Sequence, residues 1–83
     1  MREMLFAANA EGLDLKYFVT AEEWDEVHLY GISVEKYING ALAEENSSGP
    51  ISDEKDYVNG LAAMLADGMV TPMVLNEILD EIC

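Results

Sequence analysis

Between residues 13 and 19 the chain alternates. Leu13, Leu15, Tyr17 and Val19 fall on one side of an extended backbone, and Asp14, Lys16 and Phe18 on the other. Strand side chains point alternately to opposite faces, so this period of two demands a sheet with one face buried. The nearest partner is the apolar run Met4-Leu5-Phe6-Ala7-Ala8, separated from it by Asn9-Ala10-Glu11-Gly12. Asn suits the first position of a type I turn, and Gly a left-handed closing residue. Residues 3–19 therefore read as a β-hairpin, against the rival reading of a helix over residues 2–10 stopped at Gly12.

After the hairpin the local signals point to helices. Thr20-Ala21-Glu22-Glu23 has the form of a capping box, with Val19 and Trp24 placed as its hydrophobic staple. A short helix over about 21–30 follows, and Gly31 stops it. Ser33 is the next expected cap. Val34, Tyr37, Ile38, Ala41 and Leu42 then recur at helical spacing, which predicts a helix over about 34–45. Asn46-Ser47-Ser48-Gly49-Pro50 reads as a loop within one domain. Ser52 and Asp53 open a third helix over about 53–67, its inner face carrying Tyr57, Val58, Leu61, Ala62 and Leu65. Thr71-Pro72 opens a fourth over about 72–82, with proline where its missing N–H costs nothing. The segments beginning at Ile32 and Ile51 echo each other, each reaching an Asn-Gly pair. Glycine is costly inside a helix, so Gly40 and Gly60 predict points of close helix crossing.

The chain has 83 residues, too few for two independent cores, and 51% of them are apolar, enough for one. The expectation is an α+β fold: one small domain over residues 1–83, with an N-terminal β-hairpin packed against about four short α-helices. No apolar run is long enough to span a bilayer and no leader pattern precedes one, so no membrane association is expected. The single cysteine, Cys83, allows no internal disulfide, which suits a cytoplasmic setting.

Seventeen acidic residues against four basic ones give a net charge of −13. Such a field repels phosphates, and Arg2, Lys16, Lys36 and Lys55 are too few to supply the contacts that nucleic-acid binding rests on. What it attracts is a basic protein surface. Acids are densest at Glu22, Glu23, Asp25 and Glu26 on the first expected helix, and at Asp53, Glu54 and Asp56 at the start of the third. On a helix, side chains three or four apart stand about 5–6 Å from one another, within the range of duplex phosphate spacing. These seven residues are the candidate partner contacts. Phe18, on the polar side of its strand, is an eighth.

Catalytic and metal chemistry find little footing. Asp25 and His28 share a Glu/Asp-x-x-His spacing, yet a helical di-iron site needs a second such set and this chain has one His. No calcium-loop pattern and no phosphate-cradling glycine loop occurs. Cys83 lies beside Asp80 and Glu81, which oppose thiolate formation. No cofactor, no metal and no enzymatic activity is expected. Trp24, Tyr30, Tyr37, Tyr57, Met64, Met69 and Met73 read first as core-packing residues.

Residues 14–45 resemble ribbon-helix-helix proteins. The likeness runs through Leu15-Lys16-Tyr17-Phe18-Val19, the cap Thr20-Ala21-Glu22-Glu23-Trp24, the turn Tyr30-Gly31-Ile32-Ser33, and Val34 through Ala43. It implies a homodimer whose outward strand residues, here Asp14, Lys16 and Phe18, enter the major groove as a DNA-binding regulator. Size and charge point instead to a non-enzymatic acidic interaction module that binds a basic protein. Inhibitors of nucleic-acid-handling proteins, such as antitoxins, anti-restriction and anti-CRISPR proteins, have that character.

Overall fold

The computed structural model describes residues 2–82, with side chains from residue 6 to residue 81. Four strands come first: β1 (Arg2–Ala10), β2 (Leu13–Trp24), β3 (Val27–Ile38) and β4 (Ala41–Ser52). Helix α1 (Lys55–Asp67), a 3₁₀ turn (Pro72–Val74) and helix α2 (Leu75–Ile82) follow. The strands form one antiparallel meander in the order β1-β2-β3-β4.

The fold is thus a four-stranded sheet with two helices, not a hairpin with about four. The stretches 21–30 and 34–45, expected to be helical, are strand and turn. Residues 14–45, which carried the ribbon-helix-helix likeness, run from β2 through β3 into β4. A capping box is worth about 1 kcal/mol and acts locally. It is outweighed here by a ladder that continues unbroken from Leu13↔Ile38 to Trp24↔Val27. The helical spacing of Val34, Tyr37, Ile38, Ala41 and Leu42 arose from counting through a turn. Asn39 and Gly40 both have positive φ, 50° and 85°, and join β3 to β4 as a two-residue hairpin turn. Gly40 and Gly60 mark no close crossing either, since an added Cβ would have nothing within 4 Å at either position.

One face of the sheet is dry. Leu15, Tyr17 and Val19 of β2 and Ile32 and Val34 of β3 are buried against Val58, Leu61, Ala62 and Leu65 of α1 and Leu75 and Leu79 of α2. The alternation of β2 and the i, i+3, i+4, i+7 spacing of α1 meet in that layer. Tyr57, expected on the inner face of α1, is exposed instead.

Two polar clamps hold the α1–α2 connection to the sheet. The Tyr17 hydroxyl donates to the Val70 carbonyl at 2.8 Å, and Asn46 Nδ2 donates to the Pro72 carbonyl at 3.0 Å. At the end of α1 the Val70 N–H reaches the Leu65 carbonyl and the Met69 N–H the Ala66 carbonyl, the two bonds of a Schellman motif. Its left-handed residue is Met69 (φ 50°), one place beyond the glycine the sequence offers. Gly31 has the opposite need. A Cβ there would run into the Gly49 carbonyl, where β4 slips register and the Ile32 N–H turns to Ser48 Oγ.

Candidate interaction arm

The outermost pairs at one end of the sheet are Arg2↔Thr20 on one side and Tyr30↔Ser52 on the other. Beyond them only β2 and β3 continue, so residues 21–29 project as a two-stranded ribbon. This projection contributes to an elongated molecule, 42 × 25 × 18 Å. At about 3.4 Å per residue the arm reaches roughly 14 Å past the sheet.

Its tip is Asp25-Glu26. Both residues have positive φ, 46° and 69°, the requirement of a type I′ turn, and neither is glycine. Asp tolerates the left-handed region better than Glu does, and a β-carbon there costs about 1–2 kcal/mol per residue. The ladder on either side holds the turn closed.

Glu22, Glu23, Asp25 and Glu26 are all exposed and all lie on this arm. The structure brings them together, but not as one face of a helix. In a ribbon, consecutive side chains point to opposite sides. Glu22 shares its side with Trp24, Val27 and Leu29, while Glu23 stands opposite His28 on the other. The arm therefore has an acidic tip, one side of mixed apolar and acidic character, and one polar side. Trp24 is 59% exposed and Val27 47%, cross-strand neighbours beside the turn. Trp24 Nε1 donates to Glu22 Oε2 at 3.0 Å, which lays the indole along the strand.

Asp53, Glu54 and Asp56 lie at the base of the arm. Ser52 pairs with Tyr30, and its hydroxyl accepts the Glu54 N–H at 3.1 Å, turning the chain from β4 into α1. All three acids are exposed, and Asp56 sits in the first turn of α1 where the helix dipole favours it. They occupy the same end of the sheet as the arm. Phe18 does not join them. It is half-buried on the sheet face opposite the helices, across from Ser33.

That open face carries a polar cluster of its own. Glu35 is only 6% exposed, the Tyr37 hydroxyl donates to its Oε1 at 2.9 Å, and Lys16 Nζ lies 4.6 Å from the Tyr37 ring centroid. Met64, Met69 and Met73 stand exposed rather than in the core. Among the described residues no group of three or more His, Cys, Asp or Glu side chains could hold a metal ion, and no helix is long and apolar enough to cross a membrane. The expectation at Cys83 lies outside the described residues.

Sequence reasoning missed Trp24 and Val27 as arm residues, because the capping pattern claimed the first for a staple. Asn39-Gly40 was the signal that would have found the arm. It makes β3 and β4 a hairpin, which leaves Val27–Ile38 extended and free to pair with β2. No curated protein and no solved structure matches the chain. A family model does, over residues 3–83, and the chain belongs to that family, the family of unknown function DUF6514.

Proposed function

We propose that this protein is a non-enzymatic interaction module whose β2–β3 arm docks on a basic protein surface, of the kind found on nucleic-acid-handling proteins. One observation carries the reading: four carboxylates and an exposed tryptophan sit together on a ribbon that stands clear of the sheet. Exposed, uncrowded acids steer a cationic partner over distances of a Debye length, about 8–10 Å. Trp24 supplies the apolar anchor that such an interface needs at its centre, with the surrounding acids as its rim. Asp53, Glu54 and Asp56 extend the negative field to the arm's base. A cytoplasmic setting fits a partner of this type.

The test is capture of partner proteins from nuclease-treated host extract by immobilised wild-type and variant chains. Reversing Glu22, Glu23, Asp25 and Glu26 to Lys is expected to abolish capture, as is high salt. Trp24→Ala should weaken it by about 2 kcal/mol, the size of an interface hot spot. Undiminished capture by the reversed arm would remove the arm from consideration. Retardation of DNA by the isolated chain would overturn the reading altogether.

A further inference from the structure

The β2–β3 ladder runs without a slip from the sheet into the arm, so the alternation of sides carries through. Phe18, Thr20, Glu22 and Trp24 of β2 therefore share a side with Val27 and Leu29 of β3. The Trp24 side of the arm is one surface with the open face of the sheet, away from both helices. Trp24 and Val27 are exposed on it, and Leu29 and Phe18 half-buried. No Lys or Arg occurs from Phe18 to Ser33, while Glu22, Asp25 and Glu26 crowd the arm end of this apolar strip. At the sheet end, Ser33, Glu45, Asn46 and Ser47 line an open cavity of about 410 Å³. Glu45 is exposed there, across from Glu35 in the β3–β4 ladder.

Resting on the reading of the arm as a site for a basic protein, we infer that docking is one-sided and that the occupant is a basic amphipathic helix. It lies along the strip from Trp24 to Phe18, with its apolar stripe on Trp24, Val27, Leu29 and Phe18. Charge complementarity selects its other residues. Lys or Arg flanking that stripe meets Glu22, Asp25 and Glu26 at the arm end, and one reaches the carboxylate and serine hydroxyls of the Glu45 cavity at the sheet end. Within the sheet β2 and β3 each have a neighbour on both sides, so an incoming strand finds no edge there. A sheet face is covered by helices instead, as α1 and α2 cover the opposite one. The six residues from Phe18 to Trp24 span roughly 20 Å, the length of a helix of about 13 residues.

The probe is a synthetic peptide of about 14 residues, with leucine at i, i+3, i+4 and i+7 helical spacing and lysine elsewhere. It is titrated into the full chain and read by the emission of Trp24, the one tryptophan present. Saturable binding with a blue shift is expected as the indole leaves water. An isomer with its leucines spread around the helix should bind about tenfold more weakly. Two charge-matched pairs of variants, checked for folding by far-UV circular dichroism, then locate the footprint. Val27→Lys should raise Kd about tenfold, and His28→Lys, next to it on the other side of the arm, by about twofold at most. Glu45→Lys should likewise exceed Asp67→Lys, which makes the same charge change on the helix layer. Equal losses within each pair, or equal binding of the two isomers, would overturn one-sided helix docking and leave the arm's attraction for cations standing. Undiminished binding after reversal of Glu22, Glu23, Asp25 and Glu26 would overturn the arm reading and this inference with it.

Discussion

Tyr17 shows how one side chain does two tasks. Its ring fills the centre of the buried layer with no exposed surface, and its hydroxyl reaches through that layer to the Val70 carbonyl. Removing the hydroxyl by Tyr17→Phe leaves that carbonyl without its partner and should cost about 1–3 kcal/mol, read from the midpoint of urea unfolding. Burial pushes the phenol up from 10.0 to about 12, because the interior disfavours the phenolate. The sign follows from linkage. The unfolded chain releases this proton first, so the stability tied to the neutral phenol is whole below pH 10 and drains away as pH rises from 10 towards 12. Tyr17→Phe should lose that alkaline component, and an unaltered alkaline profile would show that the phenol does not control it.

At the level of elements, turn chemistry and ladder strength compete. The β3–β4 turn has Asn39-Gly40, residues that accept the left-handed region readily, while the β2–β3 turn asks the same of Asp25 and Glu26. Replacing Asp25-Glu26 by Asn-Gly should therefore raise stability by about 1 kcal/mol, seen as a higher melting temperature. A fall would mean that the tip carboxylates make contacts that outweigh the backbone strain. The same substitution removes two acids from the arm, so a more stable protein with weaker partner capture is the combined expectation. Strain kept at an exposed tip, where an easier pair of residues was available, fits a tip selected for its charge.

Charge sets the behaviour of the molecule as a whole. At −13 the compact state crowds carboxylates that the unfolded chain can spread, and an ion pair such as Lys36–Glu44 at 2.9 Å offsets little of this. That pair is half-buried and, by the measure of surface pairs, worth at most about 1 kcal/mol. Screening should thus favour the folded state: melting temperature is expected to rise with sodium chloride at neutral pH. A melting temperature that falls or stays level with salt would show that self-repulsion is not a material term. Sodium chloride should act in the opposite sense on the proposed arm contact, weakening its hold on a cationic partner.

What the sequence determined by itself was whatever depends on neighbours in the chain. The alternation from Leu13 to Val19 needs only the geometry of an extended backbone, and it names the residues of β2 that became the core. The apolar spacing of Val58, Leu61, Ala62 and Leu65 likewise needs only a helix. The exposed acids of the arm are legible as a dense run of charge, though not as a ribbon. Tertiary structure decided the rest, because pairing between distant segments is cooperative and no local window contains it. Thr20 to Trp24 could cap a helix in isolation, but once Asn39-Gly40 folds β4 back on β3, extending β2 satisfies backbone groups along both strands. Each further pair in a ladder costs less than nucleating a helix anew, and so the sheet took the segment.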